Sequence, residues 1–474
     1  MNDELIRLTA TEAVARLRRR EISPLELIDA AVARIEAVDG KVNALPIRFF
    51  DIARENARKF MARKSPADPP PGWLAGLPVA AKDYNDVGGQ RTTFGSPIFA
   101  DSVAPANDHT VDTLEGSGAI FMAKSNVPEF AGSNTFNPVF GATRNPWNLK
   151  MTAGGSSGGA AAALASGTQW LAMGSDLGGS LRIPASYCSI VGLRPSPGRV
   201  PRGAGLPAFD SLWVEGPMAR NVPDLALMLD ALSVQHPHDP LSFPAPRVPF
   251  AAAMRDARPP RRVAFTPNLG LSNVDPEVAA ICRAAAHRFT EMGTAVEDAS
   301  PDFSNAIDTF QTQRGLLFAA LRGNLLVAER ARINPSIVWN IEKGLKLSAD
   351  EIIRAERERA ALYHRVAAFF DSYDLLLCPT VAVPPYAVEQ AYPTRIGDQQ
   401  LMSYIDWMFL TFVITLTGCP ALSLPCGFTK DGLPVGLQII GPSHADAAVI
   451  AAASLLEREF GIAARLPIDP VESN

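Results

Sequence analysis

Behind Ser23-Pro24-Leu25-Glu26, apolar residues recur at Leu25, Ile28, Val32 and Ile35, a three- and four-residue spacing that predicts an amphipathic helix with one buried face. Serine before proline, with glutamate three positions after the serine, is a capping-box start. Thr9-Ala10-Thr11-Glu12 carries the same capping pattern upstream, so the chain opens with two surface helices packed on something larger. The run from Lys64-Ser65-Pro66 to Pro69-Pro70-Pro71-Gly72 closes this layer, because prolines favour extended chain. The expected division is a helical layer over residues 1–70 packed on a core over 71–474.

From Leu77 the rhythm changes to short apolar runs separated by turn residues. Pro78-Val79-Ala80-Ala81-Lys82-Asp83 reads as a buried strand that ends in charge. Arg262-Val263-Ala264-Phe265, a helix capped by Asp275-Pro276-Glu277 with Val278, Ile281, Ala285 and Phe289 on one face, and Thr294-Ala295-Val296 make a strand–helix–strand unit. The region near 303–370 is mostly helical and includes a helix capped at Ser348-Ala349-Asp350-Glu351, with Ile352, Leu362, Val366 and Phe369 turned inward. Strand pattern returns at Asp374-Leu375-Leu376-Leu377-Cys378-Pro379, and the proline-rich stretch from His236 to Pro249 is a connection. These alternations favour an α/β architecture with a mixed sheet.

At 474 residues and 47% hydrophobic content the chain can bury a large core. Its net charge of −5 argues against nucleic acid or an anionic membrane as partner, since both require a basic footprint. The five cysteines (Cys188, Cys282, Cys378, Cys419 and Cys426) are scattered without metal-ligand spacing, which points to reduced thiols in a cytoplasmic protein. Met1-Asn2-Asp3-Glu4 is acidic where a secretory signal is basic. Trp407 to Thr429 lacks charge and is long enough to span a bilayer, but Gly418, Pro420, Pro425 and Gly427 would break such a helix. It reads instead as a core helix to about Leu416 followed by a buried strand at Ala421-Leu422-Ser423-Leu424, with no membrane span.

Candidate chemistry centres on Gly154-Gly155-Ser156-Ser157-Gly158-Gly159 and Gly174-Ser175-Asp176-Leu177-Gly178-Gly179-Ser180-Leu181-Arg182. Glycine permits the backbone conformations and close approach that a nucleophilic serine needs, and adjacent N–H groups can face an oxyanion. A flexible linker is the plainer reading, and Gly154-Gly155-Ser156-Ser157-Gly158 also matches the G-x-S-x-G elbow. The small-residue run Ala160–Gly167, which reads as a buried helix, speaks against a linker. None of the six histidines (His109, His236, His238, His287, His364, His444) sits in a motif that marks a base. Lys82 is the other candidate base. Lowering a lysine from its ordinary value of about 10.4 to 7 costs roughly 4.6 kcal/mol, which full burial can supply. The strand pattern equally allows a lysine that snorkels or pairs with Asp83 or Asp86.

The chain resembles the amidase signature family. The likeness runs from Lys124-Ser125-Asn126-Val127-Pro128-Glu129-Phe130, through Phe140-Gly141-Ala142-Thr143-Arg144-Asn145-Pro146-Trp147-Asn148, to Gly192-Leu193-Arg194-Pro195. It extends outside that region to Pro78–Asp83, Leu377-Cys378-Pro379-Thr380, Gly418-Cys419-Pro420-Ala421 and Gly432-Leu433-Pro434-Val435-Gly436-Leu437-Gln438, so it spans nearly the whole chain. The resemblance implies a large mixed central β-sheet covered by helices on both faces. It further implies a Ser–cisSer–Lys triad with Ser180 as nucleophile, Ser156 as bridging serine after a cis Gly155–Ser156 bond, and Lys82 as base.

An oxyanion hole at Leu177, Gly178 and Gly179, with the Ser180 N–H as a further donor, follows from the same resemblance. Ser175, Asp176 and Arg182 are expected as supports, the last two as an ion pair, while Ser157 is kept as a helix N-cap and Cys188 as a small core residue. No cofactor or metal is implied. The implied activity is hydrolysis of small apolar or aryl amides, with esters and carbamates as further substrates and a homodimer compatible with it. Tyr404, Trp407, Met408, Phe409 and Phe412 are candidate walls of an acyl or aryl pocket, or core packing at helical spacing. The alternative is the A-type glutaminase subunit of a tRNA-dependent amidotransferase, from whose pattern Gly205-Leu206-Pro207-Ala208-Phe209-Asp210-Ser211-Leu212-Trp213 departs.

Overall fold

Eleven strands form one mixed sheet in a computed structural model that describes residues 3–64, 66–203 and 205–472. In chain order they are β1 (Ile47–Arg48), β2 (Pro78–Lys82), β3 (Ile120–Ser125), β4 (Leu171–Asp176), β5 (Val191–Arg194), β6 (Val214–Ala219), β7 (Arg262–Phe265), β8 (Ala295–Asp298), β9 (Leu375–Pro379), β10 (Ala421–Phe428) and β11 (Pro434–Ile440). Their spatial order is β1-β3-β2-β4-β6-β5-β10-β11-β9-β7-β8. β3, β2 and β4 run parallel to one another, as do β9, β7 and β8, and antiparallel pairs join the two groups. Every residue of β2, β3 and β4 is buried, which is why these strands read as apolar runs without alternation.

Both faces of the sheet are covered, and the side chains of its strands show how. Leu375 and Leu377 of β9, with Val263 and Phe265 of β7, enter one apolar cluster, whereas Leu376, Cys378 and Ala264 enter another. Successive residues of a strand point to opposite faces, so these are two cores with the sheet between them. The first core takes in the helices Ala10–Arg18, Pro24–Val42, Gly158–Ala165, Val222–Leu232 and Asp446–Phe460. The second is filled by Ala306–Arg322, Pro335–Leu345 and Phe409–Thr417, with Ala349–Phe370 laid across it.

The helix starts fall where the caps predict. Thr9 with Glu12, Ser23 with Glu26 and Ser348 with Glu351 each close a reciprocal capping box, and Asp275 accepts the N–H groups of Glu277 and Val278. The strand–helix–strand unit at 262–298 forms with β7 and β8 parallel, and a strand follows the core helix at 409–417. Among the described residues no helix is long and apolar enough to cross a membrane. The N-terminal segment also supplies edge strand β1, whose partner is β3.

That segment is fastened by one buried carboxylate. Asp224 accepts the backbone N–H groups of Ala10 and Thr11 at 2.8 Å each and the Thr11 hydroxyl at 2.9 Å. Asp224→Ala strands these donors, and a loss of roughly 2–4 kcal/mol in urea denaturation is expected; an unchanged midpoint would show that this contact does not hold the layer.

Candidate active site

Lys82 closes β2 with its amine buried, and three hydroxyls surround it. Nζ donates to Ser156 Oγ at 2.8 Å, Ser157 Oγ at 2.8 Å and Ser175 Oγ at 2.9 Å, with the Ser175 carbonyl at 3.4 Å. Ser175 arrives from the neighbouring strand β4, and the two other serines from the loop that enters helix Gly158–Ala165. That loop passes so close to the 133–134 segment that a Cβ on Gly155 would lie 2.1 Å from the Ser133 carbonyl oxygen, so glycine is required there. The Gly155–Ser156 peptide is cis, as the family likeness implies.

Burial pushes Lys82 far below its ordinary value of 10.5, and the carboxylates of Glu215 and Asp176 only partly offset this. Hydroxyls suit such an amine, because each can accept from an ammonium or donate to a neutral nitrogen. Pairing of Lys82 with Asp83 is not what the fold builds. Asp83 turns to Lys124 of β3, 3.0 Å away and equally buried. The Tyr84 ring lies 4.8 Å from Lys82 Nζ.

Ser180 stands on the loop that leaves β4, partly exposed while the serines around Lys82 are buried. Its carbonyl accepts the Ser157 N–H at 3.2 Å, which ties the two serine segments together. Asp176 organises this loop. It accepts the N–H groups of Gly179 at 2.9 Å and Leu181 at 3.2 Å, and its two oxygens take the Arg182 guanidinium side-on at 3.0 and 2.9 Å. Arg194 of β5 adds bonds to the Asp176 carbonyl at 2.6 Å and Oδ1 at 3.3 Å. Burial alone would raise the Asp176 carboxyl, but Arg182 and Arg194 hold it well below the usual carboxylate range. Arg182 continues to the Gln438 Oε1 at 2.6 Å and the Thr411 carbonyl at 3.0 Å, so strand β11 and helix Phe409–Thr417 brace the loop from behind. Gly179 has φ of +122°, and a Cβ there would meet Thr411 Oγ1 at 2.3 Å.

Lys82, Ser156 and Ser175 thus come together, and Asp176 and Arg182 form an ion pair. Two expectations change. Ser157 stands at the N-cap position but makes no side-chain cap bond, because its hydroxyl is spent on Lys82. The Gly179 N–H points to Asp176 rather than outward, which corrects its place among the oxyanion donors; Leu177 and Gly178 lie in the same loop.

The aromatic run at 404–412 is largely core. Trp407, Phe409 and Phe412 are buried, with Phe412 stacked on Phe310 at 4.5 Å, because helix Phe409–Thr417 is enclosed on every side. Tyr404 differs: it lines a cavity of about 480 Å³ that Ser133 and Asn134 also border, and its hydroxyl accepts from Arg314 at 2.7 Å. Cys188 is buried among core residues, and burial pushes its thiol far up, in keeping with a packing role. Among the described residues none of the histidines contacts Lys82 or the serines around it; His109, His236 and His238 cluster with ring centroids 4.0–5.9 Å apart.

Beside Lys82 lies a cavity of about 330 Å³ walled by Tyr84, Phe94, Phe130, Trp213 and Phe318, with Glu215 at its edge. The sequence offered one signal for it, a glutamate inside the apolar strand run Trp213-Val214-Glu215-Gly216-Pro217-Met218. Arg194, Gln438 and Thr411, which support the Ser180 loop, carry no local signal of that role.

Comparison with known proteins gives the family. A family model for amidases matches residues 26–450. The acylamidase of Rhodococcus erythropolis is 35% identical over 468 residues, covering 98% of this chain and 97% of that protein. The A-type subunit of the glutamyl-tRNA(Gln) amidotransferase of Moorella thermoacetica is also 35% identical, over 503 residues, with 98% and 99% of the two chains covered. The crystal structure of a bacterial aryl acylamidase of the amidase signature enzymes superposes with a TM-score of 0.89 at 31% identity, over 97% of this chain and 99% of that one.

Removing the Asp176 carboxylate leaves two arginines buried without a counter-charge. Asp176→Ala is therefore expected to cost about 3–5 kcal/mol in chemical denaturation, and a stability equal to that of the parent would show that Arg182 and Arg194 find other partners.

Proposed function

The chain belongs to the amidase family and is an amide-hydrolysing enzyme, and we propose that it cleaves small apolar and aryl amides through Ser180, Ser156 and Lys82. The observation that carries this reading is the buried Lys82 amine, 2.8 Å from Ser156 Oγ and held by serine oxygens, with no carboxylate among the described residues bonded to it. Neutral Lys82 takes the Ser156 proton as Ser156 takes that of Ser180, and Ser180 Oγ bonds to the amide carbon. N–H groups of Leu177, Gly178 and Ser180 stabilise the oxyanion, and that of Gly179 stays with Asp176. The proton held on Lys82 returns through Ser156 to the departing nitrogen, the C–N bond breaks, and an acyl ester remains on Ser180. Water then loses a proton through Ser156 to Lys82 and bonds to the acyl carbon; the bond from that carbon to Ser180 Oγ breaks, the proton returns through Ser156 to Ser180, and the carboxylic acid leaves. This acyl-enzyme chemistry extends to esters and carbamates.

The aromatic walls of the cavity beside Lys82 support apolar and aryl substrates, and so does the likeness to an aryl acylamidase. The second reading, a glutaminase component that delivers ammonia for tRNA-dependent amidation, draws on the equal identity to the Moorella protein. A panel of anilides set against glutamine, with the chain alone, separates the two. Turnover of anilides and none of glutamine is expected, and the reverse would transfer the assignment.

Lys82→Ala and Ser180→Ala should each lower kcat at least about a thousandfold while the far-ultraviolet circular dichroism of the fold persists. Undiminished activity in Lys82→Ala would remove lysine from the mechanism. Because burial lowers the pKa of Lys82, the neutral base is present at pH values where an exposed lysine stays charged. Accordingly kcat/KM should climb with pH and level off well below pH 10; a limb that continues to rise at the ordinary lysine value would contradict a desolvated base.

A further inference from the structure

We propose that the cavity beside Lys82 receives the amine half of the substrate, and that Glu215 there binds a second nitrogen, an ammonium or other N–H donor, carried by that half. The proposal rests on the serine–lysine reading above and adds the substrate class. In that mechanism the proton on Lys82 returns through Ser156 to the departing nitrogen, which places the amine half on the side of Ser180 that faces the relay. The cavity meets the lysine through Tyr84, whose ring lies 4.8 Å from Nζ, and through Glu215. Glu215 of β6 stands directly opposite Ser175 of β4, and directly opposed residues share a face, so its side chain leaves the sheet on the same side as the Lys82 contact.

The polar groups there are incomplete. Glu215 is 5% exposed, and its Oε1 accepts the Trp213 indole N–H at 3.0 Å, but Oε2 has no hydrogen-bond partner among the described residues. Asn85, 4% exposed, donates from Nδ2 to Asp108 Oδ2 at 2.8 Å and leaves Oδ1 without a partner. Both orphan atoms are acceptors on residues that line one cavity, and burial together with Asp108 pushes the neighbouring Glu215 carboxyl up to about 7, so what is missing there is a proton or an N–H donor that takes its place. Asp86 and Asp108 also line it and make the potential at this end negative. His109 lines it as well, with an unpartnered Nε2 that can donate or accept. The cavity's own cation, Arg322, lies against Phe94 and Phe130, over whose rings it stacks at 5.2 and 4.9 Å. An aromatic wall with an acidic end fits an amide of an aminoalkyl or aminomethyl-aryl amine, the ring laid against the wall that Tyr84 and Trp213 form together, their centroids 6.3 Å apart, and the second nitrogen at Glu215.

The test compares the acetyl amides of 4-(aminomethyl)aniline, acylated on the ring nitrogen, and of 4-ethylaniline, its neutral isostere, in the parent enzyme and Glu215→Gln. A charge-assisted hydrogen bond predicts a kcat/KM ratio of at least about 10 in favour of the aminomethyl substrate in the parent, falling to about 1 in the variant. A ratio of 1 or less in the parent overturns the proposal without any variant, and so does a ratio that survives Glu215→Gln. Calorimetric binding of the two free amines to the parent supplies a readout independent of turnover. If neither amide is cleaved, the hydrolase reading fails for anilides, while tighter binding of 4-(aminomethyl)aniline than of 4-ethylaniline still supports the subsite and equal binding overturns it.

Discussion

Two lysines lie at the ends of neighbouring parallel strands, one register position apart and so on opposite faces of the sheet, and only one of them is given a carboxylate. Lys124 of β3 meets Asp83 at 3.0 Å, whereas the amine of Lys82 on β2 meets only oxygens of serines within hydrogen-bonding distance. Both are fully buried, so the cost of desolvating an ammonium falls on both. Lys124 has a counter-charge to offset that cost and a structural place to fill. Lys82 has no carboxylate within hydrogen-bonding distance among the described residues, and burial outweighs the more distant Glu215 and Asp176, so the cheapest state of this group is the neutral amine. A base is thereby produced by burial, and it needs the three-layered packing around β2 to keep water away.

The second organising element is a single carboxylate with too many partners to move. Asp176 binds two backbone N–H groups and two guanidinium groups, and through Arg182 it is connected to β11 and to helix Phe409–Thr417. The segment that carries Ser180 is irregular and glycine-rich, so its shape cannot come from regular secondary structure. It comes instead from charge-assisted hydrogen bonds in a region where broken ones are expensive. The position of a reactive hydroxyl is thus fixed by groups that touch no reacting atom.

Legibility from sequence followed the range of the interactions. Helix caps are local, and Thr9, Ser23, Asp275 and Ser348 were readable because each bonds within three residues of itself. The buried strand at Pro78–Lys82, the strand–helix–strand unit and the helical region near 303–370 followed from periodicity. Ser156, Ser175 and Ser180 stand out by their glycine surroundings, Lys82 as a charge at the end of an apolar strand run, and all four by family likeness. Strand order did not, since β4, β6 and β5 interleave in a way no local pattern encodes. Ser157 misled because its position is that of a cap while its hydroxyl is claimed by a lysine 75 positions away. The aromatic run at 404–412 misled for a related reason: apolar periodicity marks a buried face but does not tell a cavity wall from solid packing. The true cavity walls, Tyr84, Phe94, Trp213 and Phe318, are brought together from distant segments.

A sheet of eleven strands that does not close on itself has two open ends, each a row of unpaired backbone groups ready to accept another copy. At one end β1 is two residues long and carries an exposed Arg48. At the other, β8 is Ala295-Val296-Glu297-Asp298, with its acids engaged by Arg262 and Arg283 at 2.7 and 2.6 Å. A strand docking at either end would find too little length to pair with, or a charged pair to dismantle. Pairing of another strand onto either sheet edge is therefore opposed by the least conspicuous strands of the fold, at residues remote from its chemistry.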